Sequence, residues 1–319
     1  MKTRVWVLAD DRAGNVNQLL GVAEALGWPY EVKNIRYNGW IRLPNWLLGS
    51  TSLAIGTEYK KSLQAPWPDV VLSAGRRSFP VARAVKRLSG KKTKIIQLMN
   101  PGQSVARFAD LVVLPEHDKK TSGRNTFVVM GSPHRITQER LKDEKKHWER
   151  TLGRLQKPRI ALVVGGSTKG KVFTEEMANE LINAVAALKP GSVMTTTSRR
   201  TPENVVELLQ KKLPKNQFFY RFGDKAENPY FGLLAWADAI VVTGDSMSMC
   251  SECCGTNKPV YIFAPNGMVS DKHARFHQTL YKKGYASDAL THKKIIPPKH
   301  PLNVAYDIAQ KIQMIVQSR

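Results

Sequence analysis

The feature that most constrains the fold is a repeated alternation of short apolar segments with amphipathic ones. Apolar, strand-like segments such as 68–75 and 94–99 alternate with helical patterns such as 79–90. The alternation reaches a long, charged helical pattern at 137–155 and then starts again at 159–166. Apolar strands that alternate with helices indicate parallel sheets with helices on both faces. We therefore predict an α/β chain with two such sheets.

Length and hydropathy support this prediction. A chain of 319 residues with 42% hydrophobic residues is long enough for two packed domains. No apolar run approaches the ~20 residues that a membrane-spanning helix needs. The start of the chain, MKTRVWVLADD, has too short an apolar run for a signal peptide and is expected to form the first strand. We expect a cytoplasmic protein, with peripheral binding at the inner face of the cytoplasmic membrane as a further expectation.

The chain carries a formal net charge of +23. Residues 1–155 hold 27 Lys and Arg against 13 Asp and Glu, and residues 156–319 hold 22 against 13. Such a surface attracts nucleic acid, anionic lipid or a phosphorylated glycolipid. Because no helix-turn-helix or aromatic–basic RNA-binding motif is present, we expect no nucleic-acid partner. The three cysteines, within 250–254, lack the further ligands of a zinc site and fit small apolar packing, so we predict no metal site.

Ligands of parallel α/β sheets bind at the carboxyl ends of the strands, so the loops at these ends are the ones to read. In the first half they are 9–15, 73–78, 100–104, 115–118 and 131–135, and in the second half 165–171, 196–202, 221–230 and 243–248. Most contain glycine, a hydroxyl residue or arginine. The same residues also form ordinary turns, but their recurrence at strand ends indicates a site for an anionic ligand.

The loop GGSTKGK partly matches a phosphate-binding loop. Gly165, Gly170 and Lys171 fit G-x-x-x-x-G-K, but Val172 stands where Ser or Thr would hold magnesium. The next helix is also expected to start only around Thr174. This pattern argues against an ATPase or GTPase and favours a looser loop whose backbone N–H groups approach a phosphate.

Two further loops carry phosphate- or sugar-binding chemistry. Arg199 and Arg200 could bind a diphosphate or be a solvated pair. After the apolar strand at 239–244, Ser248 and Glu252 share a helix face. A carboxylate one turn into this helix could accept both hydroxyl groups of a ribose, although a capped helix with an exposed Glu is the simpler alternative.

A set of motifs in this order resembles the mitochondrial-fission Elm family, whose bacterial members are regarded as candidate glycosyltransferases. The motifs are DDRAGNVNQ, LVVLPEHD, GSPHR, GGSTKGK, TTSRRTP and TGDSMSMCSE. The last of them, with the segment that follows it, is also similar to the donor domain of GT-B glycosyltransferases. The resemblance implies two Rossmann-like domains that face a cleft. They would be an acceptor-side domain at 1–155 and a donor domain at 156–302, with a final helix at 303–319 crossing back to the first.

The resemblance also implies roles for individual residues, with Glu252 binding the ribose of a nucleotide-sugar. The other implied donor-binding residues are Gly165, Gly166, Ser167, Thr168, Ser198, Arg199, Arg200, Asp245, Ser246, Ser248, Asn266 and His273. The implied acceptor-side residues are Asp10, Gly14, Asn15, Gln18, His117 and Asp118.

The catalytic base is the point at which the chain departs from the family. The family pattern usually has a His after the first-loop glycine, whereas here Asn15 follows Gly14. A general base would then be Asp11 or His134, ahead of Asp10, His117 and Asp118. A structural role for each His, bonded to a backbone carbonyl, is equally open.

The implied activity is transfer of a sugar from a nucleotide-diphosphate donor to an envelope glycolipid or saccharide, without a metal or cofactor. Two alternatives stay open: a non-catalytic, membrane-associated adaptor that retains the fold, and a nucleotide-sugar epimerase. The segment 38–56, with Trp40, Arg42 and Trp46, could rest on a membrane interface or be a buried helix edge.

Overall fold

The computed structural model describes residues 3–116, 123–291, 296 and 299–317. The chain divides into two compact units, Met1–Arg135 with Asn303–Arg319 and Ile136–Leu302. Each unit is built on one six-stranded sheet in which every pairing is parallel. This confirms the predicted pair of Rossmann-like domains. No helix among the described residues is long and apolar enough to cross a membrane.

The first unit has the strand order β2-β1-β3-β4-β5-β6. Its strands are β1 (Val5–Ala9), β2 (Tyr30–Asn34), β3 (Val70–Ala74), β4 (Lys94–Leu98), β5 (Leu111–Pro115) and β6 (Thr126–Val129). Its first helices are α1 (Ala13–Leu26), α2 (Asn45–Leu48), α3 (Thr57–Lys60), α4 (Gly75–Leu88) and α5 (Gln103–Ala106), with a 3₁₀ turn at Gly39–Arg42. The inner strands are buried and apolar, as strands covered on both faces require. Trp6 and Phe79 are the largest side chains of the core on one face of this sheet.

The second unit has the strand order β12-β11-β10-β7-β8-β9. Its strands are β7 (Arg159–Val164), β8 (Ser192–Thr197), β9 (Gln217–Tyr220), β10 (Ala239–Thr243), β11 (Val260–Phe263) and β12 (Ser287–Asp288). Its helices are α6 (Gln138–His147), α7 (Glu149–Leu152), α8 (Glu175–Ala187), α9 (Glu203–Lys212), α10 (Tyr230–Trp236), α11 (Met247–Cys254) and α12 (Asp271–Lys282). The order places β7 between β8 and β10, so the loops that follow these three strands are neighbours at one edge.

The last helix, α13 (Val304–Gln317), belongs to the first unit and packs against α1. Its buried side chains recur at helical spacing, Val304, Ile308 and Ile312 among them.

The connection between the units differs from the expected single helix at 137–155. The helical pattern is interrupted at Trp148, whose indole lies where a Cβ on Gly232 would otherwise sit. The first segment, α6, packs against α10 of the second unit, and the division between the units therefore falls at Arg135 and not at residue 155.

Candidate functional site

The loops that follow β7, β8 and β10 are joined by the carboxylate of Asp245. One oxygen, Oδ1, accepts the hydroxyl of Thr243 at 2.7 Å. The other, Oδ2, accepts the backbone N–H of Gly166 at 3.0 Å and pairs with the Arg200 guanidinium at 2.8 Å. Because the side chain is fully buried, these bonds replace the water that a carboxylate needs. Asp245 therefore fixes the shape of this edge through protein partners on both oxygens.

The two glycines after β7 are required by this close packing. A Cβ on Gly165 would lie 2.1 Å from Asp245 Oδ1, and one on Gly166 would lie 2.0 Å from the carbonyl oxygen of Arg200. The N–H of Gly165 donates to Thr243 Oγ1 at 2.7 Å, so both glycine N–H groups already have partners within the chain. Their first role is to let the three loops approach one another.

The rest of GGSTKGK forms a tight turn. Thr168 and Lys171 exchange backbone hydrogen bonds of 2.9 and 3.0 Å, and Gly170 has the positive φ of +76° that such a turn needs. The helix that follows, α8, begins at Glu175 with Thr174 as its cap. This confirms that Lys171 does not enter a helix, as it would in a phosphate loop of an ATPase.

The loop after β8 carries two arginines with different surroundings. Besides its ion pair with Asp245, Arg200 donates from Nη1 to the carbonyl of Ser167 at 3.4 Å, and its own N–H donates to Ser198 Oγ at 3.2 Å. The hydroxyl of Thr201 donates a hydrogen bond to the carbonyl of Gly165. Arg199 is exposed and makes no hydrogen bond or ion pair with any residue that the structure describes. Its guanidinium is available to an anion at this edge.

The helix after β10 holds the carboxyl group that the sequence singled out. The hydroxyl of Ser246 caps α11 by accepting the N–H of Met249 at 3.4 Å. Glu252 is partly buried, and its Oε2 accepts the hydroxyl of Tyr230, the first residue of α10, at 2.5 Å. Burial raises the pKa of Glu252 to about 7, against the lowering effect of the Tyr230 hydrogen bond. Ser248, on the same face of α11, is partly buried.

The other side of α11 belongs to the core. Cys250, Cys253 and Cys254 are buried free thiols, and burial raises the pKa of each. They act as small apolar side chains, as the sequence predicted.

The segment after β11, a loop followed by α12, contributes one residue close to the Asp245 cluster. His273 is partly buried on α12, and its Nδ1 lies 2.8 Å from Ser270 Oγ. Burial lowers its pKa, while the charge of Asp245 acts in the opposite direction and that of Arg200 in the same one. The ring is therefore mainly neutral near pH 7, and it lies near Asp245. Asn266 is exposed on the loop itself.

The first unit has its own polar cluster at the carboxyl end of β1. Arg77 pairs with Asp10 at 3.3 Å and more closely with Asp11, and its guanidinium lies 4.6 Å from the centre of the Tyr37 ring. The hydrogen bond from Arg77 lowers the pKa of Asp11, which makes this exposed carboxylate a weak base. Asn15 donates to Asp10 at 3.4 Å, so it contacts the acid from the position where the family pattern has a His. A cavity of about 540 Å³ lies against Asp10 and Asp11.

The remaining acceptor-side predictions have mixed outcomes. His134 is buried, and its backbone carbonyl packs against Gly21 in the middle of α1. That position is well along the helix from Asp11, so the structure does not bring these two predicted bases together. Gly14 and Gln18 lie on the first half of α1, exposed and partly buried respectively. His117 and Asp118 lie outside the described residues.

Three contacts of these sites were not identified from the sequence. They are made by Tyr230, Thr243 and Arg77. Arg77 lies in a strand-end loop that the sequence did single out, and its position beside a second Arg was the available signal. Tyr230 and Thr243 also lie in strand-end segments that the sequence singled out, 221–230 and 243–248, but nothing further marked them, because a hydroxyl at the end of a strand or the start of a helix is common.

A model of the mitochondrial fission ELM1 family matches residues 13–315 of the chain. The chain belongs to this family. An uncharacterized protein of Rickettsia prowazekii is 28% identical, with 98% of each chain covered. The Arabidopsis thaliana mitochondrial fission protein ELM1 is also 28% identical, over 70% of this chain and 58% of the plant protein.

Solved structures with the same fold include a UDP-GlcNAc 2-epimerase and a MurG protein. The UDP-GlcNAc 2-epimerase of Methanocaldococcus jannaschii has a TM-score of 0.61 at 14% identity, covering 99% of this chain and all of the other. The MurG protein of Acinetobacter baumannii has a TM-score of 0.51 at 15% identity, covering 98% and 99%. At such low identity these similarities establish the GT-B type of fold and nothing finer.

Proposed function

We propose that this chain is a glycosyltransferase that uses a nucleotide-diphosphate sugar, bound by the second unit at the carboxyl ends of β7, β8 and β10. The observation that carries the proposal is Glu252, a partly buried carboxyl group one turn into the helix after β10. Its Oε1 is not engaged by the Tyr230 hydrogen bond, and a ribose hydroxyl can donate to it.

Proteins with a similar fold motivate the choice of ligand. The 2-epimerase of Methanocaldococcus jannaschii was solved in complex with UDP-GlcNAc and UDP, and that of Neisseria meningitidis with UDP-GlcNAc. In our proposal the exposed guanidinium of Arg199 and the N-terminus of α11 at Ser246 attract the diphosphate. Arg200 and Asp245 hold the loops in shape, and Asn266 and His273 lie on the side assigned to the sugar.

The proposed reaction is a single group transfer. The oxygen of an acceptor hydroxyl forms a bond to the anomeric carbon of the sugar, and the bond from that carbon to the diphosphate breaks. The nucleoside diphosphate leaves with the bonding electrons, and the proton of the acceptor hydroxyl passes to a base. Positive groups at the diphosphate stabilise the charge that develops there, so the proposal needs no metal or cofactor.

We assign the acceptor to the first unit, at the Asp10 and Asp11 cluster, and we propose an envelope glycolipid or saccharide as its class. Asp10 and Asp11 are the proposed proton acceptors, although Arg77 weakens Asp11 in this role. We do not assign the base to His134, because it is buried. The proposed location is the cytoplasmic side of the membrane that carries the acceptor.

The test is thermal stability of the full chain against UDP, GDP, ADP, CMP and TDP and their common sugars. A ligand at about 100 times its Kd stabilises the native state by about 2.7 kcal/mol, which raises the melting temperature by about 5 °C or more. We expect one nucleotide to stand out, and Glu252→Gln to remove its effect while Glu180→Gln, at an exposed position on α8, retains it.

Two outcomes would replace the proposal. A well-folded chain that responds to no nucleotide would favour the adaptor. Binding of a nucleotide-sugar that is then isomerised at the sugar, with no transfer to any acceptor, would favour the epimerase, for which the similarity of the overall fold provides the present support.

A further inference from the structure

The segment 38–56, here named the Trp loop, lies between β2 and α3, contains the 3₁₀ turn and the short helix α2, and exposes large apolar side chains. Trp40 and Trp46 are 60% and 66% exposed, and Leu47 and Leu53 are 54% and 56% exposed. Single exposed apolar residues are common on protein surfaces. Two indoles and two leucines exposed within one short segment are not accounted for by folding of the unit itself.

The Trp loop is held by hydrogen bonds to neighbouring elements in spite of this exposure. The side-chain amide of Asn45 donates to the carbonyls of Arg76 and Pro101 at 2.8 and 3.0 Å. The guanidinium of Arg76 donates to the carbonyls of Ile41 and Leu43, each at 2.8 Å. The backbone carbonyls of Ile41 and Leu43 are thus bound within the protein, which lowers the penalty of bringing this part of the loop into an apolar environment.

The loop is also anchored by apolar contacts. Leu48 and Ile55 are buried, and Asn38 closes the loop by donating to the carbonyl of Leu53 at 2.8 Å. The same sequence therefore places some apolar side chains in the core and others, on the same loop, in solvent. This division indicates that the fold holds the exposed apolar side chains in a defined surface, and that the segment is not loosely packed.

The charge of the segment identifies its partner. No acidic residue occurs between Glu31 and Glu58. Arg42 within the Trp loop and Arg36 just before it are exposed cations. The whole chain carries +23, so two copies repel one another and would have to bring the same basic residues together. An anionic lipid surface, in contrast, attracts the cations and accepts indole and leucyl side chains at its interface.

We propose that the Trp loop is a membrane-docking surface that inserts Trp40, Trp46 and Leu47 into the interface of an anionic bilayer. The loop is connected to the acceptor-side cluster through Tyr37, which bridges to Ile55 and lies under the Arg77 guanidinium. Docking would therefore bring a lipid-linked acceptor to the first unit. The inference deepens the proposed function by naming the lipid surface as a partner, but its test requires no nucleotide.

The experiment is co-sedimentation of the full chain with vesicles of phosphatidylcholine containing about 30% phosphatidylglycerol, and with pure phosphatidylcholine vesicles. We expect binding to the anionic vesicles that Trp40→Ser with Trp46→Ser weakens by about tenfold or more. The control is Phe222→Ser, which removes a 52% exposed aromatic side chain of the second unit and should bind as the unaltered chain does. Brominated lipids should quench tryptophan fluorescence in the control and much less in the double variant.

Three results would overturn the inference. The first is no binding to anionic vesicles by the unaltered chain, and the second is equal binding by the double variant. The third is a concentration-dependent dimer in light scattering that the double variant loses, which would make a second copy the occupant. The two proposals fail separately: the Trp loop variant should retain its nucleotide response, and Glu252→Gln should retain vesicle binding.

Discussion

Glu252→Gln should make the second unit more stable while it removes nucleotide binding. Burial raises the pKa of Glu252 from 4.5 to about 7. At about 1.4 kcal/mol per pKa unit this corresponds to about 3 kcal/mol against the charged form, and partial exposure reduces our expectation to about 2 kcal/mol. Glutamine has nearly the same shape, and its oxygen can accept the Tyr230 hydroxyl, but it has no charge to bury.

The sign of the pH dependence follows from the raised pKa. Between about pH 4.5 and 7 the folded chain retains a proton that the unfolded chain has lost, so Glu252 makes stability fall as pH rises through this window. The advantage of Glu252→Gln should therefore be near zero at about pH 4.5 and complete by about pH 8. Comparing the two proteins at each pH cancels the titration of the other carboxylates.

The assay is calorimetric unfolding across this pH range. A gain of about 2 kcal/mol in a unit of this size corresponds to a rise of about 4–8 °C in the melting temperature of its transition at pH 8. Glu180→Gln, at an exposed position, is the control and should change little. Tyr230→Phe removes the hydrogen bond that lowers the Glu252 pKa and should move the window to higher pH. An equal or lower melting temperature for Glu252→Gln at pH 8 would refute the reasoning.

Further predictions concern the loops that surround this site. Gly166→Ala should destabilise the second unit by about 3 kcal/mol or more, because its Cβ would lie 2.0 Å from the backbone oxygen of Arg200. The matched change Gly170→Ala places its Cβ in open space but at a positive φ. It should lower the free energy of unfolding, measured by chemical denaturation, by only about 1 kcal/mol. Asp245→Asn should lower the free energy of unfolding by about 2–3 kcal/mol, because the Arg200 guanidinium loses its ionic partner and one amide hydrogen would face the Gly166 N–H or the Thr243 hydroxyl. A loss below about 0.5 kcal/mol would show that Asp245 does not hold the loops together.

The sequence predicted the strands that are apolar and buried on both faces, because such strands leave an unambiguous pattern. It did not predict β2, which lies at the edge of the first sheet, is mostly exposed and includes the charged residues Glu31 and Lys33. An edge strand is stabilised by pairing with β1, which the composition of the strand itself does not reveal. The break at Trp148 was missed for a similar reason, because the ring is placed by a glycine of a distant helix.

Prediction of the candidate site from the sequence has the same limit, because contacts with distant elements leave no local pattern. Glu252 could be singled out from its position after an apolar strand, but its bond to Tyr230 joins two elements that helical spacing does not relate. The glycines of GGSTKGK were interpreted as a loop that approaches a phosphate. The N–H groups of Gly165 and Gly166 instead bond to Thr243 and Asp245, and the pattern of one loop cannot show which neighbour fills the space.

The most direct test of the account is a calorimetric titration of the full chain with the nucleotide-sugar that the stability panel selects. We predict binding of one ligand per chain that Glu252→Gln abolishes and Glu180→Gln preserves. The affinity of the unaltered chain should also fall as pH drops below about 7, where Glu252 gains a proton. Binding that Glu252→Gln leaves unchanged, or no binding of any nucleotide-sugar to the folded chain, would contradict the assignment of the second unit as a donor site.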